Sequence, residues 1–529
     1  MAVAGLEQRM ARLLAEMPPE QTARLRRWRD GAARGIAAAI APIDRLLARD
    51  AAFAVAVVTI IALQIALAVT HRAWLDEWQA LQIAVQSPTL ADLAQNLRYE
   101  GHPPLWYWIV RAVAAPLPDP LWALPLAVLL VGIPAQLTIL FAAPFSRSER
   151  VLISCSEFVL FEFLTLSRSL SLGFALMIAV AALWRTRRLV WIPIALLPLC
   201  DFLFGVSSVI FVVLRWREGR MAWTMLPLWL AGGLFAAWSI RPMPDIHSAL
   251  LPNVFWFDLT AWMAGSSTLG LPLQWHLLHP RWNNPPPLGL SGPALLFFLA
   301  LVVIELRRRR DFLIAHLSFL ALTLVFSVAV YQLSIRHLMN GATLLIVLVW
   351  IHAAEGAPDR SVWWRGWLLM AALCGLFNAA LAFAKPFDTT FEAAAMIRNL
   401  GLVHKQWVAF PHSAGQGVAA VNAMQIERLA EHCTEDFVRW NSPDEHHVKS
   451  IDDLTLRLHR KADADGRFYL ITWFPLPEDP PFLRRIGAVR AGYDGQDFLI
   501  YAVGTGAREG TVHAPPCAGA HPILRPAQR

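Results

Sequence analysis

Charge is scarce in this sequence. Asp, Glu, Lys and Arg make up 16% of its 529 residues, against roughly 25% in soluble domains, which excludes an ordinary soluble fold for the whole chain. Cysteine is scarce too, and five residues are too few for a disulfide scaffold. Cys155, Cys200 and Cys374 fall in apolar blocks and read as packing residues. Cys433 and Cys517 stand in the C-terminal segment, where they are able to pair if that segment is exported. There is no internal repeat and no P-loop, GxGxxG, HExxH or CxxC zinc pattern, so nothing supports a cytoplasmic nucleotide engine. No cleavable signal peptide is apparent. The first apolar block starts at Ala52, behind an Arg-rich stretch, as expected of a signal-anchor span.

What the chain has instead is apolar residues, 56% of the total. Between Ala52 and Ala384 they form successive blocks near the ~20 residues a helix needs to cross a bilayer. The net charge of +7 comes from Arg clusters beside these blocks, the pattern of cytoplasmic loops, so no nucleic-acid partner is inferred. Residues 1–50 read as a basic, amphipathic cytoplasmic segment on the membrane surface.

The Arg clusters thread the chain as about eleven spans. Ala52–Val69 runs outward. Leu121–Phe141, Leu170–Trp184, Leu288–Leu306 and Leu338–Ala353 run inward, and Val151–Leu166, Met221–Ile240, Phe312–Leu333 and Trp367–Ala384 outward. Leu189–Leu214 is expected to be a tight hairpin with Asp201 at its outer turn, and 241–287 a long outer loop rich in Pro and Trp. Leu105–Pro116 is too short to cross and is expected to be a half-helix or re-entrant segment. The fold class expected is therefore an α-helical polytopic membrane protein with a small C-terminal α/β unit outside. Its divisions are 1–50, 51–385 with an outward loop at 71–103, and 386–529. Residues 391–403 read as an amphipathic helix, and 467–474 and 497–503 as strands.

The outward loop carries the first candidate chemistry. In 74–86, Trp74, Trp78, Leu81 and Val85 share one face of an expected interfacial helix, with Gln79, Gln82 and Gln86 on others. Asp76 and Glu77 sit among these apolar residues, where lost hydration raises a carboxyl pKa and suits a general base or a metal ligand. Glu100 and His102 precede Pro103-Pro104, which fix an extended approach to the next block. Glu157, Glu162, Arg168, Asp201, Arg336 and His337 are ionisable groups in or beside apolar blocks, costly in lipid and expected to face a cavity or a partner. All but Glu157 thread to the side of Asp76. Each feature also has a plain structural reading: a polar helix face, a Pro-Pro helix entrance, a mutually neutralising Glu162–Arg168 pair.

Asp76-Glu77 followed by His102-Pro103-Pro104-Leu105 and the aromatic pair Trp106-Tyr107 resembles the GT-C glycosyltransferases of the protein mannosyltransferase and lipid A aminoarabinose transferase type. Glu162, Arg168 and Gly173 in 161–173 and the stretch 335–340 resemble further segments of that group, while Leu170 and Phe204 depart from it. The resemblance covers the membrane region and implies a polyprenyl-phosphate-linked sugar donor. On that reading the candidate catalytic set is Asp76, Glu77 and Glu100, with Asp76 as base and Glu77, about 100° around the same helix, supporting the loop. His102, Glu162, Arg168, Asp201, Arg336 and His337 are the substrate-binding set, and Arg336 is the first choice for the departing phosphate. A divalent cation on Asp76 or Glu100 is compatible with these residues, though no spacing demands one.

The function expected is transfer of a sugar to a glycan, lipid or protein acceptor, with inversion, at the outer face of a bacterial-type inner membrane. The alternatives are a transporter or flippase of lipid-linked saccharides and a non-enzymatic envelope assembly protein.

Overall fold

The computed structural model describes residues 18–241, 255–276, 279–356, 360–429, 431–434, 437–439, 448–477, 479–505 and 514–517. Helices follow the apolar blocks. Six are long and apolar enough to cross a membrane: Asp50–Thr70, Pro120–Ala142, Gly289–Leu306, Arg310–Ala329, Ile335–Ala354 and Val362–Ala384. The other five expected crossings are short or interrupted, so the count of eleven is not established. Arg147–Ser154 is followed by a π-helical segment, Glu157–Phe163. Ser169–Leu183 has 15 residues, Trp191–Leu196 only six, Phe202–Arg217 16 and Leu226–Ser239 14. Leu105–Ala114 is a 10-residue helix, about half a bilayer in length at 1.5 Å per residue.

Charge sorts the two ends of these helices. At one end Arg147 pairs with Asp50 (2.6 Å), Arg360 with Glu149 (3.0 Å), Arg365 with Asp44 (2.6 Å) and Arg309 with Glu218 (3.0 Å). These pairs tie the basic helix Pro19–Leu47 and the Arg-rich turns into one layer. Arg215 joins it by donating from Nη1 to the Trp184 carbonyl at 2.7 Å. The opposite ends of the same helices carry His71, Arg168, Asp201 and Arg336. Helices 50–70 and 362–384 both start at the basic layer, so the chain after Ala384 lies at the opposite end.

Broken helices leave carbonyls unpaired, and in a membrane these need partners from neighbouring elements. Gln64, inside helix 50–70, donates to the Leu164 carbonyl. Gln136 donates to that of Ser154 (3.1 Å), and Ser167 Oγ to that of Leu124 (2.7 Å). The interrupted segment is also pressed closely by helix 362–384. A Cβ on Gly375 would lie 2.2 Å from the Cys155 oxygen and 2.6 Å from the Glu157 nitrogen.

Two expectations about the outer side change. The helix Leu75–Gln86 is not an exposed surface helix, because Glu77 through Ala84 are all buried within the protein. Its buried glutamines find partners for their amide nitrogens in the C-terminal unit. Gln79 donates to the Val438 carbonyl (2.8 Å) and accepts from the Val438 N–H (2.9 Å), and Gln82 donates to the Gln416 carbonyl (3.1 Å). The expected outer loop 241–287 contains a 12-residue apolar helix, Phe255–Ser266, too short to register as a span. Its Trp262 donates to Thr323 Oγ1 at 3.2 Å, beside helix 310–329.

The last part of the chain forms a four-stranded sheet, ordered β1 (Trp407–Phe410), β2 (Phe468–Thr472), β4 (Phe498–Val503), β3 (Leu483–Val489). β1 and β2 are parallel and the other pairs antiparallel. Alternate side chains point to opposite faces. Trp407, Tyr469, Ile471, Ile500 and Ala502 pack with the helices Thr390–Asn399 and Ser413–Asn422. Val408, Leu470, Tyr501 and Val503 pack with the helix Ile451–Asp465. Cys433 and Cys517 form a disulfide, and Cys155, Cys200 and Cys374 are free.

Gly375→Ala is expected to lower the heat-unfolding midpoint in detergent, because overpacking costs about 1–3 kcal/mol. Gly233→Ala, in a helix with nothing within 4 Å of the added methyl, is the control and is expected to leave the midpoint unchanged or raise it. Equal midpoints for the two variants would contradict the close approach at Gly375.

Candidate active site

The polar centre at the end opposite the basic layer is built on Glu77. This side chain is 0% exposed. Its Oε1 accepts from the Ser167 N–H (2.6 Å), and its Oε2 accepts from the Trp74 N–H (3.1 Å) and lies 2.7 Å from His71 Nε2. A carboxylate only accepts, so the imidazole carries its proton on that nitrogen. Glu77 thus closes the first turn of helix 75–86 and ties it to the end of helix 50–70 and to the loop before helix 169–183.

That anchoring sets Asp76, the neighbouring residue, against Arg168. Asp76 Oδ2 lies 3.1 Å from Arg168 Nη1 and 2.6 Å from Arg336 Nη2. The three side chains are 15%, 6% and 12% exposed respectively. Arg168 stands just before helix 169–183, at the end of the interrupted segment. Arg336 stands on the short helix Ile335–Leu338. Burial raises the Asp76 carboxyl pKa, but the charges of Arg168 and Arg336 outweigh it and hold it at about 2, below the ordinary 3.8. The expectation of a raised value is therefore corrected: desolvation is present but loses to two guanidinium groups.

Arg336 spends only part of its fork. Its Nη2 reaches Asp76, while Nε and Nη1 are buried with no hydrogen-bond partner among the described residues. Its guanidinium carbon lies 4.9 Å from the ring centre of Trp74 and 5.8 Å from that of Trp282, within cation–π range. His337, next in the chain, is buried with Nδ1 2.7 Å from Ser334 Oγ.

Glu100, His102 and Asp201 form a second row. His102 Nδ1 is 3.5 Å from Glu100 Oε1, and its Nε2 is 3.8 Å from Asp201 Oδ2. Gly101 makes the turn between the first two by adopting φ +73°, a left-handed conformation that glycine takes without strain. Gln79 Nε2 donates to Glu100 Oε2 at 2.8 Å. Asp201 also caps the helix Phe202–Arg217, accepting from the Leu203 N–H at 3.0 Å.

Glu162 and Arg168 do not pair with each other. Glu162 Oε2 accepts from Trp282 Nε1 (3.1 Å) and Gln274 Nε2 (3.4 Å), whereas Arg168 turns to Asp76. Gln274 Nε2 also donates to Glu157 Oε1 at 2.8 Å. Tyr107, outside the candidate set drawn from the sequence, is buried within electrostatic reach of Glu100, Arg168, Asp76 and Asp201. Its place in the His-Pro-Pro-Leu-Trp-Tyr run was the available signal. Trp282 gave no signal, being one tryptophan of a loop read only as Pro- and Trp-rich.

Asp76 and Glu100 do not belong to a metal-sized group of His, Cys, Asp or Glu among the described residues. Such a group is found in the C-terminal unit, at Glu427, His432 and Asp465, and there Lys461 Nζ pairs with both Glu427 and Asp465.

The fold and centre define an integral membrane protein of broken and spanning helices, with one buried carboxylate–guanidinium site at the end away from the basic layer. No family model and no curated protein matches the chain. Among solved structures, the crystal structure of ArnT from Cupriavidus metallidurans bound to undecaprenyl phosphate is similar, with 11% identity over 85% of this chain and 97% of that one, and a TM-score of 0.47. Similarity at that level carries no argument about this chain's substrate or residues.

Glu77→Gln is expected to lower stability by about 1–3 kcal/mol. The amide's N–H would face donors, either at Ser167 or at His71 and Trp74. A melting midpoint in detergent equal to that of the unaltered protein would contradict the anchoring role.

Proposed function

We propose that the chain is a membrane glycosyltransferase. It moves a sugar from a polyprenyl-phosphate donor to an acceptor at the outer, periplasmic face of a bacterial-type inner membrane. The observation that carries this reading is Asp76 clamped between Arg168 and Arg336, with two nitrogens of the Arg336 fork, Nε and Nη1, buried and without a hydrogen-bond partner among the described residues. An unspent guanidinium fork suits phosphate oxygens. The sorting of arginines to the other end supports the orientation.

Arg336 turns its fork to the donor phosphate, which shares its charge with Asp76. Asp76 then loses part of the attraction that lowered its pKa while its burial persists, so it becomes a stronger base. The acceptor hydroxyl gives its proton to Asp76, and its oxygen bonds to the anomeric carbon. The bond from that carbon to the phosphate oxygen breaks, and its electron pair leaves with the lipid phosphate. Arg336 and Arg168 stabilise that growing charge in place, with little reorganisation. A single displacement inverts the configuration. Glu100, His102 and Asp201 supply polar contacts for sugar or acceptor hydroxyls, and His337 backs Arg336. Glu77 holds the loop.

A divalent cation is admissible at Asp76 or Glu100. EDTA followed by metal add-back decides it, and activity retained in EDTA leaves the phosphate charge to the guanidinium groups.

The direct test uses purified protein in lipid nanodiscs, labelled polyprenyl-phosphate sugars and envelope extract as acceptor. Transfer by the unaltered protein and a fall of at least about 100-fold in Asp76→Asn are expected, the scale of lost general-base catalysis. Full transfer by Asp76→Asn overturns the base assignment. Lipid translocation in vesicles without any transfer overturns the enzyme reading in favour of a flippase.

A further inference from the structure

We propose that Trp282 is a positioning residue for the Arg336 fork, and that Glu162 acts through this indole rather than on substrate. The inference rests on the function proposed above and concerns how its phosphate site keeps its shape.

Among the described residues Arg336 makes one ion pair, with Asp76 through Nη2, its Nε and Nη1 have no hydrogen-bond partner, and Glu162 lies within electrostatic reach of it. Hydrogen bonds therefore do not fix the plane of the fork. The indoles of Trp74 and Trp282 lie together to one side of it, meeting each other edge-on with ring centres 4.7 Å apart. Trp74 belongs to the Asp76 loop. Trp282 belongs to a segment with no helix or named strand of its own; Asn284 Nδ2 donates to its carbonyl from within that segment at 3.0 Å, and its ring and N–H take their partners from outside it.

Three separate elements supply these partners. Glu162, in the π-helical segment, accepts from the indole Nε1 at 3.1 Å. The Tyr493 carbonyl, in the C-terminal unit, accepts from the Trp282 N–H at 3.1 Å. Phe387, just after the last span, packs edge-on against the ring with centres 5.1 Å apart. Glu162 is 2% exposed, and its other oxygen, Oε1, has no hydrogen-bond partner. A buried carboxylate is costly, and this one is directed at an indole that faces the site cation. The C-terminal unit thus helps to shape the phosphate site by holding Trp282.

The test is affinity for undecaprenyl phosphate in nanodiscs, together with KM and kcat for the sugar donor. Trp282→Phe keeps an aromatic face and removes the bond to Glu162. It is expected to weaken undecaprenyl phosphate binding and raise donor KM by about tenfold, the scale of a lost hydrogen bond to a charged group, with kcat changed much less. Glu162→Leu removes the acceptor and leaves the indole, so it gives the same readout should Trp282→Phe not fold. Because the two act as one unit, the double variant is expected to be no worse than either single one. Unchanged KM and affinity in both single variants, with the unaltered protein binding normally, overturn this inference alone. So do losses that multiply in the double variant. Failure of the unaltered protein to bind undecaprenyl phosphate overturns the proposed function as well.

Discussion

One carboxylate held by two arginines in an apolar setting organises the half of this molecule that lies away from the basic layer. Removing one partner from a buried ion pair costs several kcal/mol, because the remaining charge is stranded. Asp76, Arg168 and Arg336 come from three distant segments, each fixed by its own device. Glu77 anchors the first with three contacts. The interrupted segment 155–168 delivers the second, with Gln64 and Gln136 taking up carbonyls at the break and Ser167 tying the segment to the Leu124 carbonyl on helix 123–142. The short helix Ile335–Leu338 and two indoles present the third.

The same logic explains why polar side chains are tolerated in buried helices here. Gln64, Gln79, Gln82 and Gln136 all lie out of water, yet each amide nitrogen meets a carbonyl. Gln79 bonds both Glu100 and the Val438 backbone, so one residue joins the second polar row to the C-terminal unit. Helix 75–86 is thereby a buried wall of the site rather than a surface float.

The helical membrane class, the two-sided distribution of charge and the strands at 468–472 and 498–503 were legible because they depend on local patterns: apolar length, Arg position and short apolar runs rich in β-branched and aromatic residues. The gathering of Asp76, Arg168, Asp201 and Arg336 at one end followed from counting spans between Arg clusters. The individual partnerships were not legible. Glu162 and Arg168 are six residues apart and of opposite charge, yet each bonds a residue more than 90 positions away. The direction of the Asp76 pKa shift failed for the same reason, since burial could be read locally and the two arginines as its direct partners could not. The helix 255–266 escaped because a mostly apolar stretch of twelve residues, interrupted by Asp258, falls below the length of a span.

The central claim is that Asp76 and a donor phosphate draw on the same guanidinium fork. The most direct measurement is the affinity of the unaltered protein and of Asp76→Asn for undecaprenyl phosphate in nanodiscs. Removing the competing carboxylate is expected to tighten binding severalfold while sugar transfer is lost. Weaker binding by Asp76→Asn, with the protein folded, would contradict the account, because it would show that Asp76 recruits the phosphate instead of competing for Arg336.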